Sequence, residues 1–202
     1  MLFVVTNRLL CGEELVARVE KIAQGKPKAI LLREKDLPEK EYALLAQRCK
    51  EVCDAQGVPL IINSHISVAA QLGTPIHLPL PLFLEHHSEL AGFSQIGVSV
   101  HSPEEAQTAQ KLGATYLMAG HIYPTDCKKG LPPRGVEFLQ KVCAATTLPV
   151  YAIGGIGQQK VPEVLSCGAA GFCIMSEMMT CEDPKSRVEQ YQKIARQAKG
   201  IC

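Results

Sequence analysis

The chain has 202 residues, 47% of them hydrophobic, and a formal net charge of +1. That is enough apolar material for one ordinary domain, expected to span residues 1–202. The balanced charge, with no polybasic run, excludes an electrostatic surface for nucleic acid. The apolar opening Met1 to Thr6 has no basic leader and is too short for a signal peptide or membrane span. A cytoplasmic protein with no membrane partner is therefore expected.

Short β-rich runs recur along the chain, each followed by a helical pattern and a Gly or Pro break. Leu2 to Thr6 leads to a helix predicted from Glu13, with Leu15, Val19 and Ile22 on its apolar face. Ala29 to Leu32 precedes a helix over Glu39 to Ala55, and Pro59 to Ile62 precedes one over Ser64 to Leu72. Ile76 to Leu78 leads to a short helix around Leu82 to Leu90. Ile96 to Ser99 precedes Pro103 to Leu112, where Ser102 reads as N-cap, Pro103 suits the first helical position and Glu105 completes a capping box. Thr115 to Ala119 precedes a long loop and then Val136 to Ala145. Pro149 to Ile153 leads to Gln159 to Ser166, and Gly171 to Met175 to the last helix, Pro184 to Lys199.

The strands are continuous apolar runs, as expected when both faces of a parallel sheet are covered. Eight strand-helix units without a composition break predict an α/β fold, a (β/α)8 TIM barrel, with a doubly wound open sheet as the alternative. Cysteine is frequent at nine residues. Cys143, Cys167 and Cys173 fall inside apolar patterns, Cys49 and Cys53 share a helix face, and neither set has zinc spacing. Reduced, buried thiols are expected, with no metal site.

Polar residues gather where the strands end, the ligand-binding face of such a barrel. Arg33, Glu34 and Lys35 follow strand two, Asn63 and Ser64 strand three, and His77 strand four. Ser99 and His101 follow strand five, and Ser176 follows strand eight with Met175 before it. After strand six the apolar run stops at Gly120, then His121 and the loop Thr125-Asp126-Cys127-Lys128-Lys129-Gly130 follow. An imidazole there can move protons near neutral pH, so His121 is the catalytic candidate. Arg33, Lys35, Lys128 and Lys129 could converge on one mouth and suit an anionic substrate.

The pair Gly154-Gly155 after strand seven permits close approach of backbone N–H groups, and the seventh and eighth loops of barrels often hold phosphate. With Ser176 it reads as a phosphate site, although the same pair is also a common tight turn. A valine at Gly155 is expected to block the anion and spare the fold. His86 and His87 lie among Glu85 and Glu89 and read as solvated, while His65 opens a helix.

The segments Leu31-Leu32-Arg33-Glu34-Lys35, Ile61-Ile62-Asn63, Ile96 to His101, Pro124 to Lys129, Ala152 to Ile156 and Ile174-Met175-Ser176 resemble the thiamine-phosphate synthase/TenI superfamily. The resemblance runs essentially end to end. It implies a (β/α)8 barrel that either joins a thiazole phosphate to a pyrimidine pyrophosphate with magnesium, or aromatises a thiazole carboxylate phosphate tautomer. Synthases of the superfamily read Asn-Asp after strand three, the Asp binding magnesium, where this chain reads Asn63-Ser64. A second magnesium-binding Asp follows their strand-four motif, but here no acidic residue follows His77 before Glu85. Their glutamine two residues before the arginine is Leu31 here.

Gly120-His121-Ile122 followed by Thr125 to Gly130 is similar to the TenI-type tautomerase form; synthases usually carry proline at the His121 position. The resemblance therefore implies a cofactor-free tautomerase in which His121 shuttles the proton. Arg33, Lys35, Asn63, Ser99, Thr125 and Lys128 would bind substrate, and Gly154, Gly155, Met175 and Ser176 the phosphate. The partner is then a small-molecule thiazole phosphate. A homodimer is compatible with the sequence. A magnesium-dependent synthase and a non-catalytic regulatory relative are the alternatives.

Overall fold

A computed structural model describes residues 1–200; Ile201 and Cys202, within the expected 1–202 domain, lie outside them. Eight strands are all parallel and close on themselves in chain order. They are β1 Leu2–Val5, β2 Ala29–Leu32, β3 Leu60–Asn63, β4 Ile76–Pro79, β5 Ile96–Val100, β6 Tyr116–Gly120, β7 Val150–Ile153 and β8 Gly171–Ile174. Pairing of Leu2 with Phe172 and Phe3 with Cys173 joins β1 to β8 and rules out the open sheet. Helices follow each strand: α1 Leu15–Gln24, α2 Glu39–Ala55, α3 Ile66–Leu72, α4 Leu80–His86, α5 Pro103–Lys111, α6 Gly135–Ala144 and α7 Val161–Ser166. After β8 come two, the short α8 Ser176–Thr180 and the long α9 Pro184–Ala198.

Two-residue alternation along the strands divides the apolar side chains into two buried sets. Leu2, Val4, Ile30, Leu32, Leu60 and Ile62 face outward against the helices, in the larger core. Phe3, Val5, Ala29, Leu31, Ile61, Tyr116, Met118, Tyr151 and Cys173 form the smaller cluster inside the barrel. There Phe3 stacks on Tyr151 at 4.2 Å between ring centroids and meets Tyr116 edge-on at 5.5 Å. Such pairs contribute about 0.5–1.5 kcal/mol each beyond their burial. The barrel is a filled core, not a pore.

Several helix boundaries differ from the sequence expectation for local reasons. Glu13 does not open α1; its carboxylate instead pairs with Arg18 at 2.9 Å and Lys21 at 2.6 Å. Ser64 has φ +67°, in the left-handed region, so α3 begins only at Ile66. The Ser102 hydroxyl caps α5 by accepting from the Glu105 N–H at 3.2 Å. Glu105 does not close a capping box on Ser102, because its carboxylate accepts from the His101 N–H at 2.6 Å.

All eight cysteines among the described residues are free thiols. Cys49 and Cys53 share the inner face of α2 with no exposure, and burial pushes the Cys53 thiol up to about 12. No described helix is long and apolar enough to cross a membrane.

Candidate active site

At the carboxyl end of the strands the barrel opens into a cavity of about 1280 Å³. Its floor is made where the inward alternation turns from apolar to polar: Asn63 on β3, His77 on β4 and Ser99 on β5 all line it. Arg33, Lys35, Thr125, Lys128, Gly154, Gly155, Met175, Ser176 and His121 line it as well. The fold therefore brings the expected catalytic, substrate-binding and phosphate-binding residues to one mouth. Lys129, by contrast, is exposed and is not part of the cavity wall.

The cationic side is one electrostatic unit. Lys35 is held below the ordinary lysine range, first by Arg33, then by partial burial and Lys128. Residues from the exit of β2 and from the loop after β6 thus repel one another across the mouth, which an anion there would relieve. Behind Arg33, Glu34 turns away from the cavity and is 2% exposed. The Thr6 hydroxyl donates to Glu34 at 2.6 Å and the Arg8 N–H donates to its other oxygen at 2.9 Å. The Arg33 N–H donates to the Thr6 hydroxyl at 3.0 Å, so this buried carboxylate braces the segment that presents Arg33. Burial raises the Glu34 pKa, opposed by those donors. In the sequence it read as one of three exit residues; only packing separates it from them.

His121 follows β6 directly, half-buried at the cavity wall, and the peptide joining it to Gly120 is cis. Its backbone is pinned: the Arg134 N–H donates to the His121 carbonyl at 3.0 Å, and the Gly135 N–H to that of Ile122 at 3.0 Å. Among the described residues the ring itself makes only a long contact, Nε2 to the Leu131 carbonyl at 3.4 Å. Downstream, Thr125 caps a turn of 3-10 helix over Asp126–Lys128. This turn carries Cys127 Sγ to 3.9 Å from the Ser176 hydroxyl, so the lysine loop reaches the exit of β8.

The two glycines make room for the chain itself as well as for any ligand. Gly154 has φ +102° and a Cβ there would collide with Cα and Cβ of His121. Gly155 has φ +65° and a Cβ would run into the Pro124 carbonyl and Tyr123. Their missing side chains let the loop after β6 lie down on the exit of β7. The expectation that Gly155→Val spares the fold is therefore corrected: the side chain would meet backbone, not an anion.

Arg134 is a wall residue that the sequence offered no signal for. Its Nη1 donates to the His101 carbonyl at 2.9 Å, and its guanidinium lies 5.4 Å from the Phe138 ring centroid. His101 is exposed and turned toward Glu105 at 3.4 Å.

The sequence pattern of the family described as thiamine monophosphate synthase (TMP-TENI) matches residues 2–178. The chain belongs to the thiamine monophosphate synthase family. Among relatives within this family, the thiamine-phosphate synthase of Pyrococcus horikoshii is 34% identical, covering 98% of this chain and 96% of its own. Thiamine-phosphate synthase 2 of Streptococcus pneumoniae is 31% identical over 95% of this chain and 93% of its own. The solved thiamine phosphate pyrophosphorylase of Pyrococcus furiosus superposes with a TM-score of 0.84 at 30% identity, covering 98% of this chain and 96% of that one. A 3-hexulose-6-phosphate synthase structure, at TM-score 0.75 but 16% identity, shares the barrel alone.

Proposed function

We propose that this member of the family is a thiazole tautomerase, aromatising a thiazole carboxylate phosphate tautomer by a proton shift through His121. The observation that carries the reading is the pairing of a free imidazole at the mouth with a non-acidic residue, Ser64, after β3. The resemblance implies that a synthase takes its magnesium carboxylates from the exits of β3 and β4, and magnesium does prefer such hard oxygen ligands. Those exits are Ser64 and the Pro79–Leu80 junction, where α4 starts without a loop. The acidic residues that line the cavity are Glu105, Asp126 and Glu177, none of them at the exit of β3 or β4. Glu177 pairs with Arg187 and accepts from Tyr191, Glu105 serves His101, and Asp126 stands on the lysine loop. Among the described residues no three His, Cys, Asp or Glu side chains stand together as a metal site. This residue set does not fit the synthase metal pair.

Aromatisation needs no such pair. His121 removes a proton from a ring carbon of the tautomer, and the electron pair shifts through the conjugated system. The exocyclic carbon takes a proton back from the same imidazolium. One imidazole, base then acid, balances the reaction and can serve both steps near neutral pH. Arg33 and Lys35 hold the substrate carboxylate, with Asn63, Ser99, Thr125 and Lys128 around the ring. Gly154, Gly155, Met175 and Ser176 offer the phosphate its backbone and hydroxyl donors. The substrate is thus a small thiazole phosphate.

The synthase is the second reading, favoured by the names of the relatives above, all of which are called thiamine-phosphate synthases or pyrophosphorylases. Purified protein incubated with the tautomer in a metal chelator separates the two. Aromatic product is expected there, and no thiamine phosphate when thiazole phosphate, pyrimidine pyrophosphate and magnesium are supplied instead. Magnesium-dependent thiamine phosphate formation at enzymatic rates would overturn the proposal.

A companion variant is Ser64→Asp. The left-handed backbone at position 64 suits Asp better than most residues, so the variant should fold. It is expected to gain no synthase activity, because the β4 exit supplies no second carboxylate. Thiamine phosphate production by this variant alone, assayed with magnesium, would count against the reading.

A further inference from the structure

From the cavity floor a polar chain runs down into the barrel. His77 is 1% exposed and Tyr116 is 5% exposed, both inside the ring of strands. The Tyr116 hydroxyl lies 3.1 Å from His77 Nδ1, and His77 Nε2 lies 2.8 Å from the Ser99 hydroxyl, which faces the cavity. The neighbouring inward position on β5 is Gly97, where a Cβ would collide with the Tyr116 hydroxyl and His77 Nδ1. The strand therefore leaves open the space in which the two side chains meet.

We infer that His77 is a positioning residue, held by Tyr116 in the Nε2–H tautomer so that Ser99 presents its own O–H as a donor to the substrate. Among the described residues the Tyr116 hydroxyl has no hydrogen-bond partner but His77. If it accepted from an Nδ1–H, its own proton would be stranded in the barrel, a cost of about 1–3 kcal/mol. Donating to Nδ1 satisfies it and leaves Nδ1 bare. Nε2 must then carry the hydrogen, and donates it to Ser99 Oγ. With one of its two lone pairs engaged by Nε2–H, the Ser99 hydroxyl turns its hydrogen to the cavity. Burial, and secondarily Arg33, push the His77 pKa down to about 3, so the ring stays neutral and the order of donors stands. Burial likewise raises the Tyr116 pKa, keeping its proton in place. Ser99 thereby keeps its O–H for an acceptor atom of the ligand, a ring nitrogen or a carboxylate oxygen.

The inference rests on the proposed function only for the identity of the ligand. The tautomer is read from ¹⁵N-histidine-labelled protein by long-range ¹H–¹⁵N correlation, in which protonated and bare ring nitrogens are distinct. His77 is expected to show Nε2–H and a bare Nδ1 on both sides of neutrality. In Tyr116→Phe the His77 signals should move toward a tautomer mixture. Affinity for the aromatic thiazole carboxylate phosphate, titrated calorimetrically, should fall about tenfold, the worth of one hydrogen bond. Ser99→Ala should weaken binding to a similar extent. The double variant should be no weaker than Ser99→Ala alone, because Tyr116 acts through that hydroxyl. An Nδ1–H tautomer in the wild type, or losses that multiply in the double variant, would overturn the relay. The wild-type spectrum decides the tautomer even where Tyr116→Phe does not fold. A relay intact by these measures in a protein that aromatises nothing would overturn the proposed function instead.

Discussion

His121→Asn is expected to lower turnover of the thiazole tautomer by about two to four orders of magnitude, the usual worth of a positioned general acid–base. Asparagine keeps a comparable size and a hydrogen-bonding head but cannot cycle a proton. The fold should be indifferent to the change. The backbone of His121, not its ring, receives the Arg134 N–H, and among the described residues the ring contributes only the long 3.4 Å contact to Leu131. Product affinity should change little, because the cations at Arg33, Lys35 and Lys128 are untouched. The measurement is single-turnover aromatisation, with product binding titrated separately. Near-normal turnover would move the proton shuttle to another residue, with His101, Cys127 and Lys35 next to test. Loss of folding or of product binding would make His121 structural.

Gly155→Val is expected to damage both stability and activity. Valine at φ +65° is strained by about 1–2 kcal/mol, and overpacking against backbone adds about 1–3 kcal/mol. The atoms in the way are the Pro124 carbonyl and Tyr123, which cannot swing aside as a side-chain end could. The loop that carries Thr125 to Lys128 must lift from the exit of β7. Turnover and product affinity should therefore fall together, and the thermal unfolding midpoint should drop by several degrees. Gly157→Val is the control: nothing lies within 4 Å of a Cβ at that position, and its φ is −90°. Unchanged stability of Gly155→Val, with only phosphate affinity lost, would restore the simpler reading in which the glycine makes room for an anion.

Eight apolar runs separated by helical patterns point to a parallel α/β fold, with the barrel ahead of the open sheet, because few arrangements cover both faces of such a sheet; the pairing of β1 with β8 then closes the ring. The sequence also placed the candidate residues at strand ends, since side-chain position along a strand is a local property. His121, Arg33, Lys35 and Lys128 could be named from where the apolar runs stop. What no local pattern carries is which side chain turns in and what it meets across the ring. Glu34 reads like its exposed neighbours, yet is buried to brace them.

Gly154 and Gly155 read as ligand-facing, yet their missing side chains accommodate the loop after β6, more than 30 residues earlier in the chain. His77 and Tyr116 are separated by 39 residues and Ser99 by 22 from His77. Their chain of hydrogen bonds exists only because closure of β4, β5 and β6 side by side sets them on one inner surface. Those pairings arise from the closed ring, because burial makes each polar group find a partner and topology, not sequence neighbourhood, supplies it.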